Sequence, residues 1–162
     1  MGLPYPGGPI IDKMAQEGDS HRFKFSKPHI AGYNYSFSGL KTSFLYTLRD
    51  EMKVNPHFIE ENDKHLAASL QQTIIDILMD KFAKAVKDTG VRTIAIGGGV
   101  SANSGVRAAV QEFADKHHLK AFIPKRVFTT DNAAMIAVAG YYKCLDQQFC
   151  DIKEPPFARV II

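Results

Sequence analysis

The stretch that decides the fold is VRTIAIGGGVSANSGVRAAVQEFADKHHLKAFIP, Val91–Pro124. A short apolar run with β-branched residues stops at three consecutive glycines, Gly97 to Gly99. Small polar residues then open a run with apolar positions at helical intervals, and a second apolar run follows from Leu119. Strand, glycine turn, helix and strand in this order make a βαβ unit, with two parallel strands and a crossover helix, so the class is α/β. Glycines at a strand-to-helix junction serve two different ends. They form a tight turn, or they let backbone N–H groups approach a phosphate or ribose. The pattern is neither GxGxxG nor a P-loop, so the turn alone leaves both open. Asn103 and Ser101 are also good helix caps.

Upstream, Leu66, Leu70, Ile74, Leu78, Phe82 and Val86 recur at four-residue intervals and predict a long helix that Gly90 ends. NPHFIEENDK, residues 55–64, reads as a polar linker. Phe37, Leu40, Phe44, Leu48 and Met52 predict an earlier helix, with Ser36 or Ser38 near its cap. HRFKFSKPH, His21–His29, alternates basic and aromatic residues, which suits a half-buried strand or a nucleic-acid surface. At the start, Gly7 and Gly8 predict a turn, with Asp12 at the head of a short helix. A carboxylate so placed suits ribose hydroxyls or plain solvent. The opening has the look of the middle of a larger protein.

Downstream, FTTDNAAMIAVAGYYKCL predicts a last helix. Asp131 at its start is either a cap or a metal- or phosphate-associated carboxylate on the rim of the glycine turn. Residues 146–162 predict an irregular tail.

Composition narrows the classes. With 162 residues, 45% of them apolar and 23% charged, the chain suits one soluble globular domain. No apolar run reaches the roughly 20 residues that span a bilayer. No secretory signal is evident, and Pro6 departs from the N-myristoylation pattern. The formal charge of +3 permits an RNA partner without demanding one. Cys144 and Cys150 have no metal or disulfide spacing and predict reduced cytosolic thiols. The six histidines form neither HExxH nor HxxxH, and no complete catalytic set is present.

Five blocks carry a resemblance: LPYPGGPIIDKMA, YSFSGLKT, AASLQQTIIDIL, IGGGVSANSGVR and TTDNAAMIAVAG. In this order and spacing they resemble the C-terminal half of the TsaD family, also called YgjD or Gcp, with the older label O-sialoglycoprotein endopeptidase. The resemblance implies that residues 1–145 form the C-terminal lobe of an actin-like, sugar-kinase and Hsp70-type ATPase fold, with a βαβ core and added helices. It implies transfer of threonylcarbamoyl from threonylcarbamoyl-adenylate to N6 of adenosine 37 in tRNAs that read codons beginning with A.

Gly8 and Asp12 match family positions that hold the nucleoside, Asn103 matches a further nucleotide contact, and Asp131 matches a metal ligand. YSFSGLKT carries no catalytic role. The implied ligands are threonylcarbamoyl-adenylate or ATP and one divalent metal, iron or zinc. The implied partners are tRNA with TsaB-like and TsaE-like proteins, in the cytoplasm and away from membranes. The family's metal site also needs two histidines of an HxxxH motif in the N-terminal half, which this sequence lacks. The expectation is half a site, inactive alone. Another ATP-binding enzyme of the same fold would need a catalytic Asp block that is missing. A metalloprotease would need a zincin histidine set, and a non-catalytic scaffold would need neither.

Overall fold

The computed structural model describes residues 1–155, which divide into two compact units, Met1–Thr129 and the residues from Thr130 on. In the first unit the chain forms α1 (Gly7–Ala15), α2 (Leu40–Val54), α3 (Phe58–Thr89), β1 (Thr93–Ala95), α4 (Ser104–His117) and β2 (Lys120–Phe122). Short 3-10 turns occupy Gly99–Ala102 and Arg126–Phe128. β1 and β2 pair in parallel, with Ile94 opposite Ala121, and α4 is the crossover. The α/β class and the βαβ unit are as expected.

α3 is the spine. Its 32 residues extend about 48 Å at the helical rise, long enough to serve two cores. Leu66 and Ile77 enter one with Phe25, Leu40, Leu48 and Phe58. Ile75 enters the other with Ile94, Val106, Val110 and Ala114. The single predicted stripe divides between them: Leu70 and Ile74 pack on the first core, Leu78, Phe82 and Val86 on the second. Gly90 ends the helix in the left-handed region at φ 67°, as its position suggested.

Three expectations need correction. The polar linker at 55–64 is mostly helix, because Phe58 is buried and opens α3. Glu60 and Glu61 in the first turn are favoured by the helix dipole, and the acidic solvent face hides the start. α2 is preceded by Gly39 at φ 80° rather than capped by a serine; the Ser36 hydroxyl instead accepts the Ser38 N–H at 3.3 Å. Residues 21–29 form no strand. Phe23 and Phe25 turn inward there, edge-on to Phe58 at 5.6 Å and to Phe44 at 5.1 Å.

The second unit contains α5 (Ala133–Leu145), whose side chains are exposed along its whole length although nearly all are apolar. Cys144 and Cys150 are free and exposed. Residues 146–155 form turns without helix or strand, and the rest of the predicted tail, 156–162, lies outside the described residues. Among the described residues no helix is long and apolar enough to cross a membrane.

Candidate functional site

The site residues of the first unit meet where α1 and α3 reach the N-terminus of α4. Gly7 and Gly8 lie inside the first turn of α1 rather than in a turn before it, which places Asp12 in mid-helix. From there its carboxylate accepts the Ser104 backbone N–H at 2.9 Å through Oδ2 and at 3.1 Å through Oδ1. Oδ1 also accepts the Ser104 hydroxyl at 2.6 Å and Gln71 Nε2 at 3.2 Å. A negative group at the first N–H of α4 is electrostatically favoured there. Asp12 is thus an anion that the fold supplies to its own helix.

Asn103 caps α4: its Oδ1 accepts the Val106 N–H at 2.9 Å. Its Nδ2 donates to Gln71 Oε1 at 2.7 Å. Gln71 therefore spends both ends of its amide on Asp12 and Asn103, and with Ser104 the four residues close a polar ring, Asn103 and Ser104 being joined through the backbone. Neither Gln71 nor Ser104 stood out in the sequence. The available signal was a polar residue four positions before Ile75 on the α3 face that packs toward α4.

The ring leaves some bonding capacity. Asp12 Oδ2 accepts one hydrogen bond and has room for another, and one Asn103 amide N–H remains to donate. The neighbouring glycines differ in cause. A Cβ on Gly105 would stand 2.7 Å from Ile75 Cδ1 and 2.9 Å from Gln71 Nε2, so α3 and α4 pack closely there and both side-chain ends would have to shift to admit it. Gly98 sits at φ 77° with Ser101 folded back on its carbonyl, Oγ donating at 2.7 Å. Around Gly8, Gly97 and Gly99 a Cβ would meet nothing within 4 Å. Glycine is a poor helix former relative to alanine, and no packing in this unit accounts for it at Gly8.

Asp131 belongs to the second unit and is exposed. It does not cap α5. Asn132 does, its Oδ1 accepting the Met135 N–H at 3.0 Å while Nδ2 donates to the Thr130 carbonyl at 2.9 Å. The cap position falls one residue later because Asn132 is the extended residue immediately before the first helical turn.

The family model for TsaD, described as tRNA N6-adenosine threonylcarbamoyltransferase, matches residues 1–138. The chain belongs to the TsaD family. It is 60% identical over its whole length to a tRNA N6-adenosine threonylcarbamoyltransferase of Phocaeicola vulgatus, of which it covers 48%. The corresponding protein of Porphyromonas gingivalis is 55% identical, again with 48% covered. That of Thermosipho africanus is 48% identical over 143 residues, with 42% covered. The chain spans about half the length of the curated relatives it matches.

The described residues do not by themselves complete a metal site. Among the described residues no three His, Cys, Asp or Glu side chains come together. Asp131 is one exposed carboxylate, and a divalent ion needs several ligands to displace its water. The polar ring, by contrast, is complete within the first unit.

Proposed function

We propose that this chain is the adenylate-binding lobe of a TsaD-family transferase with an actin-like, two-lobed ATPase fold. The reaction moves threonylcarbamoyl from its adenylate to N6 of adenosine 37 in tRNAs that read codons beginning with A. In bond terms, the N6 amine attacks the carbamoyl carbon and the carbon–oxygen bond to phosphate breaks. AMP departs with the electron pair, and N6 loses a proton. The chain's part in this is positioning.

The observation that carries the reading is the Asp12–Ser104–Asn103–Gln71 ring at the head of α4, with open space at Gly8. Gly8 gives the nucleoside room. Asp12 Oδ2 accepts a ribose hydroxyl, and the remaining Asn103 N–H donates to the nucleotide. Asp131 is one ligand of a divalent ion, iron or zinc, whose other ligands lie outside this chain. The reading includes ATP as an alternative nucleotide, TsaB-like and TsaE-like protein partners, and a cytoplasmic site of action.

The test uses the complete family polypeptide with its companion proteins, assayed for threonylcarbamoyl transfer to a tRNA that reads codons beginning with A. Asp12→Ala and Asn103→Ala should each remove most of the activity, and the 162-residue chain alone should show none. Full activity in both variants would sink the proposal.

A further inference from the structure

We infer that the loop before α2, together with the outer face of α2, is a stacking surface for single-stranded RNA. The inference rests on the proposed tRNA substrate and deepens it by naming where the tRNA would be gripped. The chain carries 17 Asp and Glu in 162 residues, yet none occurs from Ser20 to Arg49. That stretch holds Arg22, Lys24, Lys27, Lys41 and Arg49. Its aromatic residues divide sharply. Phe23, Phe25 and Phe44 pack inward, whereas Tyr33, Tyr35, Phe37 and Tyr46 remain between 43% and 49% exposed. Exposed aromatics interleaved with cations are the combination on which single-stranded bases stack.

A cleft of about 340 Å³ is lined by Lys27, His29, Ser36, Lys81 and Lys84, together with Asp80. Lys84 Nζ lies 5.1 Å from the centre of the Tyr33 ring, and the Arg49 guanidinium lies 4.5 Å from that of Tyr46. The Lys81 ammonium donates to the Ile30 and Gly32 carbonyls and holds the loop in place. A pre-held loop loses less entropy on binding.

Carboxylates from α3 lie beneath. Asp76 pairs with Lys27, and Asp88 with Lys84 and the Tyr33 hydroxyl. These pairs offset much of the lysine charge in the cleft, so stacking on the rings supplies most of the affinity. Lys24 and Lys41, without ion pairs among the described residues, add the phosphate attraction. Stacking demands unpaired bases, which favours a loop of RNA over a duplex.

The test measures tRNA binding by the complete family polypeptide with its companions. Tyr33→Ala/Tyr35→Ala/Phe37→Ala should weaken tRNA binding by about tenfold or more, while Tyr33→Phe/Tyr35→Phe, which keeps the rings, should bind like the parent. Lys24→Ala/Lys41→Ala should lower the salt dependence of log K by about two, one for each lysine. Calorimetry with an adenylate analogue should be unchanged throughout. Parental tRNA affinity in the triple alanine variant would overturn the inference. So would loss of companion-protein binding with tRNA affinity intact, which would make this a protein surface. A parent protein that binds no tRNA strikes the substrate reading and takes this inference with it, whereas a variant-only null leaves the adenylate reading standing.

Discussion

Asp12 and Ser104, 92 residues apart, are joined by both the backbone N–H and the hydroxyl of the serine, at 2.9 and 2.6 Å. A carboxylate in the middle of one helix thereby fixes where another begins. Asp12→Ala should destabilise the complete protein by about 2 kcal/mol, the scale for hydrogen bonds to a charged group. Urea unfolding measures it. A change within experimental error would mean that α4 starts correctly without its anion.

Gln71 is the second prediction. Its amide holds Asp12 at 3.2 Å and Asn103 at 2.7 Å. Gln71→Ala frees both residues and should weaken adenylate binding by about tenfold, through roughly 1.4 kcal/mol of lost positioning. Gln71→Glu should be worse, because a second carboxylate then faces Asp12. Equal binding by all three proteins, in calorimetry, would show that the ring does not organise the nucleotide contacts.

Stability and binding should separate at Gly8. With open space at its Cβ position, Gly8→Ala is expected to stabilise α1 by up to about 1 kcal/mol. If the nucleoside occupies that space, the same methyl group weakens adenylate binding. A variant that melts higher and binds less is the expected outcome. One that gains stability and binds equally well would detach Gly8 from the site.

Two other glycines are governed by packing. A Cβ at Gly18 would overlap the Lys64 carbonyl, which is backbone and cannot swing aside. At Gly105 it would press on the ends of Ile75 and Gln71, which can move. Gly18→Ala should therefore cost more than Gly105→Ala, about 3 kcal/mol against about 1 kcal/mol on the scale of overpacked interiors. Thermal unfolding of the two variants side by side decides the order.

The tie between the tyrosine loop and α3 should depend on pH. The Lys84 ammonium, followed by the Tyr33 hydroxyl, holds the Asp88 carboxyl below the usual carboxylate range. Asp88 in turn raises Lys84 and Tyr33. A lowered carboxyl stabilises the fold above its unfolded value of about 3.9, and that contribution fades as pH falls through the folded value. A raised lysine contributes below its unfolded value of about 10.4, and its contribution fades as pH rises through the folded value. Protease cleavage at residues 30–36 should thus be slowest across the neutral range and faster towards both extremes. In Asp88→Asn the profile should flatten; an unchanged profile would remove this triad as its cause.

What was legible followed from residues that act locally. Gly90 stops α3 by its own backbone preference, and the two apolar runs around α4 leave little choice but a parallel pair. The misread features depend on distant partners. Phe58 looked like part of a linker because Phe23, which covers it, lies far upstream. The aromatic residues of 21–29 looked like an exposed alternation because their inward turn follows from helices α2 and α3 beneath them. The site divides in the same way. Asn103 as a cap was open to view, since its partner Val106 is three residues away. The ring around Gln71 was not, because a glutamine on a long helix announces nothing until Asp12 and Asn103 arrive at its two ends.

The exposure of α5 bears on the life of the protein in a cell. Met135, Ile136, Val138, Tyr141, Tyr142 and Leu145 all face water on one short helix. Such a surface is an association site and, while it stays open, an aggregation liability. The solubility of this polypeptide should accordingly fall with concentration unless that helix is covered.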